Sequence, residues 1–446
     1  MLMTIALKEF REHLVSARFA LTVASLALIV AVTIVALAAE HRRQQDDYNR
    51  RVESHRREMQ ESGSMTVDRP APALASLFKG QYFATQLALS KQNPPDAVES
   101  ADIEATTTMF PAIDLGFCIG VVLSLVALLF SYDAITGEKE SGTLKQILAN
   151  EVSRAAIISA KWLALTATMS VLVVITLGFG VMLARFLPGS PFVIGSRDAG
   201  AILLIALTAM ILLAAFSILG ILVSSLVSSS SSSLAILMLV WVMLVFVFPN
   251  VSPYLAVWFS PAQTWQQAQR SEKQMSSSML EDLKTRHAEG AQRVREEKLN
   301  AADMRKIASG IRSEWNSEHK EAVSRLRENY TSELHRQEKT AALIASFSPY
   351  SAATLAFAAL SEIDARSDDR FLRLARIFDD DQLSAHLRLR AERPKDQRPP
   401  LPVFAYESAS LGERLTAVAF QLSALISYNA VLFLASLWAF RRYDVR

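Results

Sequence analysis

The stretch GEKESGTL, which begins at Gly137, comes close to the loop that binds phosphate in many nucleotide-hydrolysing proteins. That loop has the pattern G-x-x-x-x-G-K-[ST], and its lysine reaches the terminal phosphates of the nucleotide. Gly137 and Gly142 have the required spacing, but Thr143 stands where the lysine belongs. Glu138 and Glu140 would also place carboxylates where phosphate has to sit. The stretch is therefore not predicted to bind a nucleotide.

Other residues with catalytic or metal-binding chemistry form no recognisable site in the sequence. No pair of histidines has metal-ligand spacing on an evident shared face. Asp379, Asp380 and Asp381 are consistent with a bound cation, but a solvated surface run is the simpler interpretation. With no Ser/His/Asp pattern, we expect no catalytic, metal-binding or cofactor-binding residues in this chain. The seven histidines are His13, His41, His55, His287, His319, His335 and His386.

The composition indicates an integral membrane protein. Of the 446 residues, 51% are hydrophobic and 20% are charged, and the mean hydropathy is +0.22. A soluble chain of this size rarely has a positive mean hydropathy. The net charge of +2 gives no overall basic bias towards nucleic acid. The single cysteine, Cys118, cannot form an intramolecular disulfide.

Six apolar segments are long enough to cross a membrane as helices, because a hydrocarbon core about 30 Å thick needs roughly 20 apolar residues. These predicted spans contain no Lys, Glu or His, which argues against a proton- or sodium-coupled carrier. We therefore predict an all-α integral membrane protein whose energy comes from elsewhere. The six segments are residues 17–39, 112–131, 162–187, 199–223, 234–249 and 414–440.

Lysine and arginine in the short loops and termini lie mostly on one side, which orients the chain. Residues 1–16, the loop 132–161 and the tail 441–446 together carry nine of them. The short loop 188–198 on the other side carries only Arg197. Both termini and the loop 132–161 are therefore predicted to be cytosolic.

The two long regions, 40–111 and 250–413, then face outward and predict a large, mainly helical extracytoplasmic domain. The front half of the second region is densely charged, with alternating signs typical of solvated helices. An apolar stripe at helical spacing predicts a hairpin or bundle with one buried seam. A solvated stalk without a ligand and a binding surface both fit this pattern. The stripe consists of Ile307, Ile311, Trp315, Leu326, Tyr330 and Leu334.

The serine-rich stretch SSLVSSSSSS lies between the fourth and fifth predicted spans. It fits either a tight polar turn or a flexible linker. Its serines can also cap the fifth helix or bond back to the backbone.

The loop 132–161 can form a short amphipathic helix over residues 143–149. Leu144, Ile147 and Leu148 lie on one side of this helix. A partner that docks on a helix held between two spans would move both spans together, so the helix can act as a coupling element. An interfacial helix that lies on lipid is the equal alternative.

The longer stretch YDAITGEKESGTLKQILANEVSRAAIISAKW resembles the cytosolic loop of ABC exporter permeases of type 2. In that family an acidic residue is followed by E-x-E-x-G-T-L, a short coupling helix, an arginine and a lysine that opens the third span. Glu151 and Val152 depart from the pattern, because relatives usually carry a proline there. The matching positions are Asp133, Glu138, Glu140, Gly142, Thr143, Leu144, Arg154 and Lys161, and Ile147 and Leu148 lie on the coupling helix.

The resemblance extends over most of the chain. Residues 1–16 can form the amphipathic cytosolic helix that precedes the first span in this family, and the fourth span ends in a serine-bearing stretch. The outward regions resemble those of a less characterised branch, through RPAPALASLFKG, SPYSAATLAFAALS and LPVFAYESAS.

The resemblance implies a permease subunit that is not itself an enzyme. Two permease chains, identical or similar, would combine with two separate ATPase subunits, and the ATPase would bind ATP and Mg. The expected location is the bacterial inner membrane, in contact with lipid, and the expected direction is export. The apolar spans favour an amphiphilic cargo, and no nucleic-acid partner is expected.

The resemblance also implies how the loop would work. The coupling helix would lie in a groove of the ATPase, where Glu138 and Glu140 would contact basic groups or cap the helix. Gly142 would permit the turn, while Leu144 and Leu148 would fill the groove. Two alternatives remain: an ATP-driven mechanical complex that acts on extracytoplasmic partners without transport, and a membrane scaffold or receptor.

Overall fold

The computed structural model divides into two compact units. The first unit is Met1–Pro249 with Ser346–Arg446, and the second is Asn250–Ala345. The described residues are 2–62, 65–79, 86–89, 113–149, 153–187, 195–297, 300–378, 383–394, 397 and 402–442. Asp379, Asp380, Asp381, Glu151 and Val152, which the sequence singled out, lie outside them.

Six helices are long and apolar enough to span a membrane, which confirms the predicted number of spans and the all-α class. Most of these helices exceed 29 residues, and 30 residues make a helix about 45 Å long. They therefore reach beyond a hydrocarbon core about 30 Å thick. Spans 1 to 6 are Ala17–Arg57, Leu115–Glu140, Arg154–Phe186, Ser196–Leu226, Ser230–Phe259 and Leu411–Arg442.

The secondary structure is almost entirely helical within the described residues. Span 2 contains the π-helical segment Cys118–Leu123, and span 5 contains Met243–Val247. The helices are α1 (Leu2–Val15), α2 (Ala17–Ser62), α3 (Leu115–Phe117), α4 (Ser124–Ser131), α5 (Thr136–Glu140), α6 (Thr143–Ala149), α7 (Arg154–Phe186), α8 (Ser196–Leu226), α9 (Ser230–Val242), α10 (Phe248–Phe259), α11 (Trp265–Glu296), α12 (Ala301–Ala345), α13 (Pro349–Leu360), α14 (Ala365–Ile377), α15 (Ser384–Glu392) and α16 (Leu411–Arg442).

Serine side chains mark where two of the spans begin. Ser153 Oγ accepts a hydrogen bond from the Ala156 N–H at 3.2 Å, and α7 starts at the next residue. Ser229 Oγ accepts one from the Ser232 N–H at 3.3 Å and caps α9 in the same way. Such a cap satisfies one of the unpaired N–H groups of a first helical turn. The serine run thus forms a tight turn between α8 and α9, not a flexible linker.

Several helices extend beyond the predicted apolar segments. Helix α2 continues from span 1 through the charged stretch to Ser62, because the residues after position 39 include no Gly or Pro and favour a helix. Span 5 continues to Phe259, beyond the predicted end at residue 249. Pro249 lies just after the π-helical segment Met243–Val247, and local π-helical adjustments allow proline inside a membrane-spanning helix.

Helix α13 lies in the core of the first unit, although the sequence placed it in an outward region. It packs against α8 and α16, and its residues Ala352, Ala353 and Ala356 are fully buried. Its 12 residues make a helix about 18 Å long, too short to cross a bilayer. The alanines allow neighbouring helices to approach closely, so the helix is held among the spans.

A small sheet accompanies a second core in the first unit. Strand β1 (Met65–Asp68) pairs antiparallel with strand β2 (Gln86–Leu89). This part of region 40–111 is therefore not helical. The second core consists of Val67, Phe371, Ala375, Phe378 and Leu383, against which Leu372, Phe404 and Tyr406 pack.

The second unit contains two long helices in contact, α11 and α12. The predicted seam residues are all partly buried. Trp315 Nε1 donates to the Met279 carbonyl oxygen on the other helix at 2.7 Å. Arg286 pairs with Glu318 between the helices, at 2.9 Å. The unit is thus a helical hairpin with one apolar seam and charged flanks.

Candidate coupling site

The loop that leads from span 2 into span 3 consists of two short helices, α5 at the C-terminal end of span 2 and α6 after it, joined by a turn at Gly142. Gly142 has a φ of +75°, a conformation that residues with a Cβ rarely adopt. A Cβ at this position would meet no atom within 4 Å, so the backbone conformation alone requires glycine.

Lys161 lies near the start of α7 and is buried, with 4% of its surface exposed. Its Nζ donates to Glu9 Oε1 at 2.6 Å and lies 2.8 Å from Glu138 Oε1. A buried ammonium costs much free energy unless carboxylates compensate for the lost water. Lys161, Glu9 and Glu138, here called the lysine clamp, therefore tie α1, α5 and span 3 together.

Lys139 binds the end of span 4. Its Nζ donates to the carbonyl oxygens of Ser225 and Val227, both at 2.8 Å, and of Ser224 at 3.3 Å. The last carbonyl groups of a helix lack partners within the helix and carry partial negative charge. The Lys139 ammonium donates hydrogen bonds to these carbonyl groups and places a positive charge beside their partial negative charge.

Glu140 binds the start of span 5. Its carboxylate accepts hydrogen bonds from the Ser230 N–H at 2.7 Å and from Ser230 Oγ at 2.8 Å. The first turn of a helix carries partial positive charge. The Glu140 carboxylate therefore stabilises the start of span 5, as the Lys139 ammonium stabilises the end of span 4. Glu138, Lys139 and Glu140, here called the charged triplet, thus bind spans 3, 4 and 5 in turn.

Further polar contacts attach the loop to other helices. The Ile135 and Thr136 N–H groups donate to Ser224 Oγ, each at 3.0 Å. Asp133 Oδ2 forms an ion pair with Arg18 of span 1 at 3.2 Å. Arg154, the first residue of span 3, donates to the carbonyl oxygens of Phe440 and Arg441 at the end of span 6. The loop therefore contacts spans 1, 3, 4 and 5, and span 3 in turn contacts span 6.

The structure brings Asp133, Glu138, Glu140, Arg154 and Lys161 into this one network. Leu144 was expected to fill a groove of a partner, but it is 2% exposed and belongs to the main core. It anchors α6 to this chain. Thr143 is exposed, as is Lys145 two residues on. Ile147 and Leu148 lie in α6, with side chains outside the described part of the structure.

Glu9, Lys139, Ser224 and Ser230 belong to the network but were not predicted as site residues. A charged residue at the start of an apolar span requires a partner, so Lys161 could have signalled a missing carboxylate. The sequence could not specify Glu9, which lies 152 positions away. The Ser224 and Ser230 contacts also depend on how the spans pack.

A second charged cluster lies at the opposite end of the first unit. Arg414, at the start of span 6, is 2% exposed. Its Nη2 lies 3.2 Å from Glu362 Oε2 and 3.5 Å from Asp198 Oδ1. Arg69 pairs with Asp368 and donates to the Glu362 carbonyl oxygen at 2.8 Å. These five residues, here called the arginine cluster, connect spans 4 and 6 with segments outside the spans.

Glu362 adopts an unusual backbone conformation within the arginine cluster. Its φ is +57°, which costs a residue with a Cβ about 1–2 kcal/mol. Such conformations persist where surrounding contacts hold them. The Glu362 carboxylate accepts a hydrogen bond from the Ala409 N–H and pairs with Arg414. These contacts fix the turn after α13.

The described residues contain no group of three or more His, Cys, Asp or Glu that could hold a metal ion. The run Asp379, Asp380 and Asp381 lies outside them, so its interpretation stays a prediction. The polar networks at both ends instead pair acidic groups with basic ones. Their arrangement can transmit force between helices, and it includes no convergent set of catalytic groups.

Comparison with known protein families identifies the class of protein. The chain matches the family described as ABC-2 family transporter protein over residues 3–445, and it belongs to this family. The protein is therefore a multi-pass membrane protein and a permease component of an ABC transporter. Membership implies, in general, partnership with an ABC ATPase. No curated protein sequence matches the chain.

Proposed function

We propose that this chain is the permease of an ATP-driven exporter and that its ATPase docks on the end of the first unit that carries α6. The charged triplet carries this proposal, because three consecutive side chains bind spans 3, 4 and 5. A push on α6 would reach all three spans without requiring a flexible connection.

The docking surface follows from what remains exposed. Glu138 is occupied by Lys161 and Glu140 by Ser230, and Leu144 is buried. Thr143 and Lys145 are exposed on α6, so they form the face that meets the ATPase. Glu138 and Glu140 then serve transmission inside the permease.

The same proposal sets orientation and assembly. The end with α1, α6 and the C-terminal end of α16 is cytosolic, in agreement with its lysine and arginine content. Two permease chains and two ATPase subunits assemble in the bacterial inner membrane, surrounded by lipid. ATP and Mg bind the ATPase. The apolar spans favour export of an amphiphilic cargo.

Co-purification tests the docking face. The tagged chain is extracted from its native membrane in mild detergent, and co-purifying proteins are identified. We expect a P-loop ATPase with the wild type and with Lys306→Glu, a control at an exposed position of the second unit. Lys145→Glu should reduce the amount of ATPase several-fold. A wild-type complex without an ATPase would refute the proposal.

The arginine cluster favours a second candidate, a mechanical complex that acts on partners outside the membrane. Its ion pairs tie residues 69 and 362–368 to spans 4 and 6, so movement of the spans would reach these segments. Reconstituted vesicles with the complete complex separate the two functions. ATP-dependent movement of amphiphilic cargo supports export, whereas hydrolysis without movement of any cargo supports the mechanical function.

A further inference from the structure

A cavity of about 170 Å³ lies in the first unit, at the end opposite the coupling site. It is bounded by the start of span 2, the segment that precedes it and helix α13. Its volume equals that of about five or six water molecules in the liquid. Its wall combines four aromatic residues with one acidic and one basic residue, beside smaller ones: Phe78, Phe117, Tyr350, Phe357, Asp114 and Lys79.

Asp114 supplies the negative charge of this cavity. It lies one residue before span 2, and its Oδ1 accepts from the Phe117 N–H at 2.7 Å. Its Oδ2 accepts from the Lys79 N–H at 2.8 Å. The N–H groups of Gly116 and of Asp114 itself also interact with the carboxylate, so a ligand shares its oxygen atoms with backbone donors. Its partners within the described residues are backbone groups, and the carboxylate has no cationic partner there.

The cavity wall suits a cation attached to carbon. The Phe78 and Phe357 ring centroids lie 6.2 Å apart. Aromatic rings attract ammonium groups within about 6 Å, and they also accept the carbon atoms next to such a group. Tyr350 is held by its close approach to Gly120 in the π-helical segment, where a Cβ would lie 2.7 Å from the ring. The wall is therefore preformed.

We propose that this cavity binds a primary ammonium group, which donates hydrogen bonds to Asp114 while its carbon neighbours lie against the aromatic rings. The group belongs either to a free amine or to the ethanolamine headgroup of a lipid. A bare metal ion fits less well, since hard cations take about six oxygen ligands and Asp114 supplies the one carboxylate among the described residues of the wall. An anion is repelled by the carboxylate.

Calorimetry on the purified full-length chain tests the charge recognition, with benzylamine as probe and benzyl alcohol as its neutral analogue. We expect binding of benzylamine and at least about tenfold weaker binding of the alcohol, because the carboxylate recognises charge. Asp114→Asn keeps the helix cap and should weaken benzylamine binding about tenfold or more. Glu407→Gln, at an exposed position, should leave it unchanged. Equal binding of amine and alcohol, or no effect of Asp114→Asn, would overturn the proposal.

A lipid arm distinguishes the two sources of the ammonium group. The chain is reconstituted in nanodiscs with equal phosphatidylethanolamine and phosphatidylglycerol, and tightly retained lipid is measured. Retention of phosphatidylethanolamine that is lost in Asp114→Asn identifies a headgroup site. Benzylamine binding without such retention identifies a free amine. If the wild type neither binds benzylamine nor retains phosphatidylethanolamine, the proposal is overturned.

Two further measurements test the proposal even if the Asp114→Asn variant does not fold. Burial raises the pKa of Asp114 to about 6, so the carboxylate is charged above that pH and neutral below it. Wild-type affinity for benzylamine should fall as the pH drops from about 7 to about 5. Lys79, Tyr350 and Cys118 are the other ionisable residues near Asp114, and burial raises the pKa of Tyr350 to about 12.

The variant Ala358→Leu should also weaken benzylamine binding, because the larger side chain fills the cavity. Constant affinity both across this pH range and in Ala358→Leu would overturn the proposal.

Discussion

Each end of the first unit contains a buried cation that is shared by two carboxylates, but the two cations differ in their other contacts. At one end Lys161 is shared by Glu9 and Glu138, and at the other Arg414 is shared by Glu362 and Asp198. Each buried cation joins a span to a segment outside the spans. The arginine also donates to the carbonyl oxygens of Leu360 and Ala409, whereas the lysine contacts are carboxylates. The planar guanidinium therefore holds its surroundings in a more specific geometry.

The backbone shows the same contrast. The turn in the coupling loop uses Gly142, which adopts its positive φ at little cost. The turn after α13 forces Glu362 into a positive φ through its ion pair and hydrogen bond. The loop end thus has a turn that costs little to form, while contacts hold the turn at the opposite end in one geometry.

Removal of the Arg414 charge should have the largest effect. Arg414→Met leaves Glu362 and Asp198 without their shared cation, and loss of one partner from a buried pair costs about 3–5 kcal/mol. The free energy of unfolding in detergent, from denaturant titration, measures the loss. Arg312→Met, at an exposed position of the second unit, is the control. Equal stability of the two variants would show that the arginine cluster is not a clamp.

Removal of the Lys161 charge should cost less. Lys161→Met leaves Glu9 and Glu138, whose side chains are 22% and 19% exposed, so water can partly replace the lysine. We expect a loss of about 2 kcal/mol in the same titration. Combination with Glu138→Gln should cost less than the sum of the single changes, because they share one interaction. Strictly additive losses would contradict the lysine clamp.

The change Gly142→Ala should cost about 1 kcal/mol or slightly more, entirely from the positive φ. Gly178→Ala is a matched control: a Cβ there also meets no atom within 4 Å, but the position lies inside helix α7 without a positive φ. That control should be neutral or stabilising. The two variants are compared by thermal unfolding, and equal shifts would show that the turn is not constrained.

Lys139→Gln should have the smallest effect on stability. It removes the charge at the C-terminal end of span 4, an interaction worth about 0.3–1 kcal/mol at a helix end. Its effect on function should be larger, because the connection between α5 and span 4 weakens. ATP hydrolysis by the complete complex should then continue with reduced cargo movement. Unchanged cargo movement would show that contacts of the loop other than those of Lys139 transmit the movement to the spans.

The sequence predicted the parts of the molecule that depend on local pattern. Hydropathy gave six spans because each apolar segment must be about as long as the membrane is thick. The order Asp133, Glu138, Glu140 and Gly142 indicated the coupling loop, and the glycine turn is present. The seam of the hairpin followed from helical spacing.

What the sequence did not predict depends on contacts between distant segments. The alanine-rich stretch of α13 has no charge pattern that distinguishes an outward helix from one packed among spans. Arg69 and Glu362 are 293 positions apart, and nothing in their local sequence pairs them. The family resemblance assigned Glu140 to a contact with the ATPase or to a helix cap. Its contact in this chain is Ser230, which lies in a run of similar serines that the local sequence does not distinguish.

In the proposed mechanism the charged triplet makes α6 and the adjacent spans move as one body. Spin labels at Gln146→Cys and Leu226→Cys, two exposed positions on α6 and at the end of span 4, report on this movement in a Cys118→Ala background. The distance between the two labels of one chain is measured by double electron–electron resonance in the complex with its ATPase. We expect one narrow distance that ATP leaves unchanged in the wild type and that broadens in Lys139→Gln/Glu140→Gln. A wild-type distance that shifts when ATP binds would contradict it.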